Sequence, residues 1–243
     1  MSITREFMNL VDAARRAIGK SGRVSVCSAG YPDLLLSAND ANDFLGDAAI
    51  GMTYRPDSEK ILRWHGFSGK LPGVYDATEF FERMGCSLSV IDFEKVRGGE
   101  LVADLNFPLP MEWHGKFDIV IDSGTCEHVF HAGQALLNLA NLVCAGGFIV
   151  QGLPLSSFNH GFYNMNPTLV VDLYSELNGY EINYFKGWSN ATVQFQEFDL
   201  PPHQRFQDAP NSAVMVVVAR RKSVVDIKPF IQRKYTKQML RKE

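Results

Sequence analysis

The chain has 243 residues, 46% of them hydrophobic, and its 24 basic and 27 acidic side chains give a formal charge of -3. That is enough apolar matter for one sizeable core, no apolar run approaches the ~20 residues of a membrane span, and the balance of charge carries no nucleic-acid footprint. The first residues form an amphipathic pattern of mixed charge unlike a signal peptide, so a cytoplasmic location is expected, and the four separated cysteines, Cys27, Cys86, Cys126 and Cys144, are expected to be reduced and buried rather than a zinc or disulfide framework.

Residues 4–18 carry Phe7, Met8, Leu10, Val11, Ala14 and Ile18 at helical spacing, and the glycines of 19–22 end the segment. Residues 23–29 (RVSVCSA) then predict a first strand, with Gly30 directly after it, where a missing side chain lets a ligand approach the backbone. One glycine stands where a dinucleotide-binding loop has three. Residues 37–74 scatter Asn, Asp, Gly and Pro among isolated apolar positions. So long a stretch is expected to be a lid or substrate element presenting Tyr54, Arg55, Arg63, Trp64 and His65, or else an insertion packed by Trp64 and Phe67.

Asp76 with Glu79 three positions on predicts a short capped helix over 76–83, stopped by Gly85. A second strand over 87–91 ends at Asp92, from which a carboxylate can accept two hydrogen bonds from a ribose diol or stand as a solvated strand-end acid. A third over 100–103 leads into Asp104 and Leu105. There Asp104 can accept from an adenine amino group while Leu105 packs on the ring, although loop-starting Asp and Asn also cap turns unaided.

The segment 117–161 organises the rest. Ile119-Val120-Ile121 stops at Asp122 and Phe148-Ile149-Val150 stops at Gln151, and runs apolar on both faces suit parallel strands buried under helices. Between them 132–143 places Ala135, Leu136, Leu139, Leu142 and Val143 at helical spacing, with Gly146-Gly147 expected to stop the helix and turn the chain. This predicts a right-handed β-α-β unit, whose polar loops at 122–128 and 153–163 lie beyond the strand ends, where ligands sit in such sheets.

Asn166-Pro167 predicts the start of a helix whose apolar face is Leu169, Val170, Leu173, Tyr174 and Leu177, closed by Asn178-Gly179. Strands over 180–185 and 212–219 follow, separated by an aromatic, polar excursion over 186–211. A long loop with no strong helix favours an antiparallel hairpin at the sheet edge, making seven strands. From Arg220 onward nine Lys or Arg stand against two acids, a net of +7 that leaves -10 on the preceding residues. This reads as a solvated basic tail or a contact for an acidic partner. The expected organisation is one domain over 1–219 with an insertion at about 37–75, and a tail over 220–243.

The ordered set resembles the class I S-adenosylmethionine-dependent methyltransferases: seven strands, an acid after the second, Asp104 after the third, FDIVIDSGTCEHVF at the fourth and Gly-Gly before the fifth. Gly30-Tyr31-Pro32-Asp33, the DLN-P-P run, SGTCEHVF and NHGFYNMNPTLVVDLY look like small methyltransferases of bacterial surface-glycan and natural-product biosynthesis. The resemblance implies an α/β fold with a mostly parallel Rossmann-like sheet, helices on both faces and an antiparallel edge hairpin, and S-adenosyl-L-methionine as cofactor. It implies that Ser28, Gly30 and Tyr31 lie under the methionine part, Asp92 holds the ribose, Asp104 and Leu105 meet the adenine, and Asp122 and Ser123 flank the methionine end. CSAGYPD stands where the family has an acid and a glycine cluster.

Methyl transfer to a hydroxyl needs an in-line nucleophile and a base for its proton, and histidine is suited to that proton. His128, His131 and His160 fall on the ligand-facing loops. His160 ranks first as catalytic base because Asn159, Tyr163 and Asn164 surround it with groups for a polar acceptor. His128 is second, with Glu127-His128 orienting cofactor or capping the next helix as its other reading. The expected activity is O-methylation of a sugar, nucleotide sugar or other polyhydroxylated small molecule, without a metal, a membrane span or nucleic acid, and with homo-oligomerisation left open. Two rivals are a non-catalytic interaction protein on a degenerate methyltransferase fold, marked by Tyr31 filling the cofactor pocket, and a nicotinamide-dependent oxidoreductase. The latter is disfavoured by the missing glycines and by the 62 positions from Gly30 to Asp92, against about 20 in the usual fingerprint.

Overall fold

The computed structural model describes residues 2–95, 97–189, 195–207 and 209–239, side chains of 237–239 apart. In chain order the elements are β1 (Ser2–Thr4), α1 (Arg5–Ile18), β2 (Val24–Ala29), β3 (Asp33–Leu35), α2 (Ala38–Leu45), α3 (Ser58–Trp64), α4 (Ala77–Arg83), β4 (Cys86–Asp92), β5 (Leu101–Val102), β6 (Phe117–Asp122), α5 (Ala132–Leu142), β7 (Val143–Pro154), α6 (Pro167–Leu173), β8 (Tyr180–Ser189), β9 (Gln196–Phe198), β10 (Val214–Arg221) and α7 (Arg233–Met239). Part of the 186–211 excursion and the end of the tail lie outside the described residues.

The main sheet has the order β5-β4-β2-β6-β7-β10-β8-β9. β5, β4, β2, β6 and β7 are mutually parallel, and β10 runs antiparallel between β7 and β8. The expected α/β sheet is borne out with one strand more: β9 pairs with β8 as a short antiparallel edge. The last long strand, β10, is inserted two places inside that edge, between β7 and β8. Because strand side chains alternate, Val26, Ile119, Ile121, Phe148, Val150, Val216 and Val218 face the layer holding α1 and α4. Cys27, Val120, Ile149, Met215, Val217 and Ala219 face α5 and α6. Each large apolar side chain so enclosed stabilises by ~1.5–3 kcal/mol, which explains strands apolar on both sides.

Local signals act as predicted at several ends. Gly19 ends α1 with φ 61°, a left-handed turn that glycine adopts without a Cβ clash. Asp76 caps α4 by accepting from Glu79 N at 2.9 Å. Elsewhere tertiary packing overrides the expectation. Gly146-Gly147 does not end α5: the helix stops at Leu142, β7 begins at Val143, and the two glycines form an irregularity inside the strand. A Cβ at Gly147 would lie 2.6 Å from Asp118 O, so this glycine lets β7 approach β6, while Gly146 supplies the turn with φ 84°. α6 stops at Leu173 because Asn178 Nδ2 donates to the carbonyls of Asp172 and Leu173 at 3.3 and 2.8 Å. Leu177, expected on its apolar face, is therefore left 72% exposed.

The insertion is not packed by Trp64, which is 85% exposed; Phe67 and Leu71 lie against Leu35, Ile61, Leu62 and Val74. Arg55 is buried there between Asp33 and Asp57, each 2.7 Å away, and His65 Nε2 is 3.0 Å from Asp33. β1 pairs with β3 as a separate two-stranded parallel sheet, an element the sequence does not announce. The tail is attached at its start: Ile227 is buried and its N–H donates to Asn141 Oδ1 at 3.1 Å. The four cysteines are free, and among the described residues no helix is long and apolar enough to cross a membrane.

Candidate active site

Strand order reverses between β2 and β6, since the chain steps outward to β4 and β5 on one side and to β7 on the other. At such a switch point two loops diverge and leave a crevice beyond the carboxyl ends of the strands. The residues singled out from the sequence fall around it, with different fates.

Ser28 is fully buried near the end of β2, and its hydroxyl has no hydrogen-bond partner. Gly30 follows with φ 75° and donates from its N–H to Ile91 O at 2.7 Å, drawing the β2 loop onto the end of β4. There Asp92 Oδ1 accepts from the next backbone N–H, of Phe93, at 2.8 Å. Tyr31 is anchored away from the strand ends. Its hydroxyl donates to Asp76 Oδ2 at 2.7 Å and accepts from Ala77 N at 3.1 Å, and its ring packs on the α1 and α4 side. The Arg97 guanidinium lies over that ring at 3.7 Å, linking the loop after β4 to the loop after β2.

Asp104 Oδ1 accepts from Asn106 N and Nδ2 at 2.9 and 2.8 Å, the turn-capping role open to a loop-starting acid. Leu105 is buried in the core beside Ile91 and Leu109. Buried Asn138 of α5 holds this loop, donating to Leu105 O and Phe107 O and accepting from Leu109 N. His131 is tied to the same loop through Asn106.

Asp122 has no solvent exposure. One oxygen accepts from Gly124 N and Thr125 N at 3.2 and 2.8 Å, and the other from Gln151 Nε2 at 2.8 Å. Gln151 in turn accepts from the Tyr174 hydroxyl at 2.7 Å. The acid at the end of β6 thus shapes the loop behind it, with Ser123 half-buried at that loop's start.

That loop brings three chemically capable side chains together. Glu127 is 1% exposed, and its Oε1 lies 3.4 Å from His160 Nε2 and 3.8 Å from His128 Nε2. The two imidazoles are 5.1 Å apart, centroid to centroid. Phe162 N donates to Glu127 O at 2.8 Å, clamping the two loops. A Cβ at Gly161 would stand 2.9 Å from Glu127 Cγ and from its carbonyl oxygen, so only glycine permits this approach. Asn164 Oδ1 accepts from Ser157 N at 2.8 Å and closes the second loop. Asn159 turns it with φ 60°, and Tyr163 donates to Phe130 O at 2.8 Å.

Burial, then the neighbouring Asp122 carboxylate, holds Glu127 well above the ordinary carboxylate range. Burial, then His160, lowers His128. The sequence pointed to both histidines but not to the buried acid between them. A glutamate in a polar loop reads as solvated, and it is buried by the close approach of Gly161 and Gly124.

No family model and no curated protein matches the chain. Among solved structures, that of Burkholderia thailandensis 1,6-didemethyltoxoflavin-N1-methyltransferase is similar at 12% identity, covering 89% of this chain and 78% of that one, with a TM-score of 0.47. A TehB-like SAM-dependent methyltransferase from Corynebacterium glutamicum is similar at 14% identity (90% and 89%, 0.43), as is N-methyltransferase NodS from Bradyrhizobium japonicum at 13% (90% and 97%, 0.42).

Proposed function

We propose that the chain is an S-adenosylmethionine-dependent methyltransferase that methylates a hydroxyl of a sugar or other polyhydroxylated small molecule. The observation that carries this is the fully buried Ser28 hydroxyl, without a hydrogen-bond partner among the described residues, at the end of β2 beside Gly30 and next to the β2/β6 switch point, where such sheets bind their ligands. A buried polar atom without a partner costs about 1–3 kcal/mol and marks a place for a ligand group. The donor set fits the proposed cofactor in part: the turn at Gly30 is open to close approach and Asp92 is a carboxylate suited to a ribose diol, with Ser123 at the start of the loop after β6, whereas Tyr31 is held on the α1 and α4 side, Asp104 caps its own turn and Leu105 is buried in the core. Asp122 acts from behind by fixing the loop.

The bound cofactor supplies an electrophilic methyl group on a sulfonium. The chain supplies position and proton handling. His160, beside Glu127 and exposed on the acceptor side, accepts the hydroxyl proton, and His128 is the second candidate. Asn159, Tyr163 and Asn164 line the acceptor side as polar contacts.

Calorimetric titration with S-adenosylhomocysteine tests the reading. Binding by the wild type and a loss of about tenfold or more in Asp92→Ala, which removes two charge-assisted hydrogen bonds, is expected; no binding by the wild type overturns it. One observation favours the non-catalytic alternative: Arg97 stacked on Tyr31 draws together the two loops that would admit a ribose. Absence of a thermal shift with the cofactor, in wild type and in Arg97→Ala alike, would select that alternative.

A further inference from the structure

We infer that Glu127, His128 and His160 form a site for a divalent transition-metal cation of the zinc class. Two imidazoles and one carboxylate are a donor set such ions take, leaving a position open for a further oxygen ligand. Donors ~2.0–2.2 Å from a tetrahedral ion stand roughly 3.3–3.6 Å apart. Glu127 Oε1 is 3.4 Å from His160 Nε2 and 3.8 Å from His128 Nε2, and one ligand atom from each of the three lies within 4.8 Å of the others. Both imidazoles are about half exposed and so free to turn toward the ideal spacing.

A second, independent observation points to a ligand. Glu127 is 99% buried by the exposure above, yet its Oε2 has no hydrogen-bond partner. A buried side-chain oxygen without a partner is rare in a folded protein and calls for an explanation. The fold builds this environment deliberately, with Gly161 and Gly124 the two positions where a Cβ would approach Glu127 within 2.9 and 3.0 Å. A cation held through Oε1 supplies the missing partner if the carboxylate binds it through both oxygens.

The binding itself does not depend on the methyltransferase reading; its consequence for the acceptor rests on that reading. With the cation in place both imidazole lone pairs are committed to it. An acceptor hydroxyl at the open position is then acidified by the ion and gives its proton to water, so the ion takes over the work otherwise assigned to His160. A vicinal diol, which offers two oxygens side by side, is the acceptor chemistry that suits such a centre.

The full chain, stripped with chelator, is titrated with Zn²⁺ in a calorimeter and with Co²⁺ by visible absorption. One ion per chain is expected, with a Co²⁺ spectrum of tetrahedral intensity, and affinity is expected to fall by more than about tenfold in each of His128→Ala, His160→Ala and Glu127→Gln. The two histidines are about half exposed, so their variants keep the fold, which circular dichroism checks. No binding, or binding that the histidine variants leave undiminished, overturns the inference. S-adenosylhomocysteine titrated on the same samples separates the two claims. Cofactor binding without Zn²⁺ binding removes the metal site alone, and Zn²⁺ binding without cofactor binding removes the methyltransferase reading alone.

Discussion

At the scale of single residues, the candidate site depends on two positions whose importance is inverse to their chemistry. Glu127 is reactive in kind but would be an ordinary surface acid without Gly161, whose lack of a Cβ brings the second loop to within contact of it. Gly161→Ala should therefore force the loops apart. A loss of about 1–3 kcal/mol in denaturant unfolding is expected for such overpacking, together with loss of the His160–Glu127 proximity seen as a changed His160 imidazole resonance. An unchanged stability and resonance would mean that the loop yields freely. Asp122 makes the complementary point: an acid at the end of the fourth parallel strand looks available from the sequence, but Gln151 and two backbone N–H groups occupy both its oxygens.

At the scale of elements, α5 and β10 are joined by one buried guanidinium. Arg221, at the end of β10 and 1% exposed, donates through Nη1 to the carbonyls of Ala140, Asn141 and Val143 at 3.0, 2.9 and 2.8 Å, and through Nη2 to Val225 O. It joins the Tyr180 hydroxyl and Gly115 N in satisfying the carbonyls at the end of α5, and its positive charge suits the negative end of the helix dipole. Arg221→Met keeps much of the side-chain volume and removes these bonds. A destabilisation of about 1.5–3 kcal/mol is expected from the lost charge-assisted bonds, measured by chemical denaturation. A loss below about 0.5 kcal/mol, the usual range for surface changes, would show that water replaces the guanidinium at no cost. The same junction explains why the basic residues from Arg220 onward are not simply a solvated tail: the first of them are part of the sheet and its cap.

At the scale of the whole molecule, Asp118 ties the end of the first helical segment to the sheet. Its Oδ2 accepts from Lys20 Nζ at 2.9 Å and from Ser25 N and Oγ at 2.8 Å each. Burial pushes its carboxyl up, but the Lys20 and Ser25 hydrogen bonds outweigh this and leave it below the ordinary aspartate range. Its pKa is thus lower folded than unfolded, so its contribution is present above the unfolded value, about 3.9, and is lost as pH falls through the folded one. The melting temperature of Asp118→Asn should lie below that of the wild type by a constant amount from neutrality down to about pH 5. The gap should narrow as pH falls through 4 and below. A gap independent of pH would assign the effect to packing rather than to charge.

Much of this was legible in the sequence because it is local. Runs of β-branched residues apolar on both faces, the helical spacing of α1 and α5, Asp76 before Glu79, and glycine after β2 each act through neighbours a few positions away, and together they specified a mostly parallel α/β sheet whose strand ends lie at residues 28–31, 92 and 122–128. The histidines of the candidate site were legible too, as residue types in the right loops. What the tertiary structure alone decided depends on contacts between distant segments. It placed β10 inside the sheet edge, turned Gly146-Gly147 from a helix stop into a close approach of two strands, and left Leu177 and Trp64 in solvent. It also buried Glu127 against two histidines, one of them 33 positions away in the chain. Periodicity reports which face of an element is apolar; which partner covers that face, and which polar atom is sealed beneath it, is fixed only when the loops close over one another.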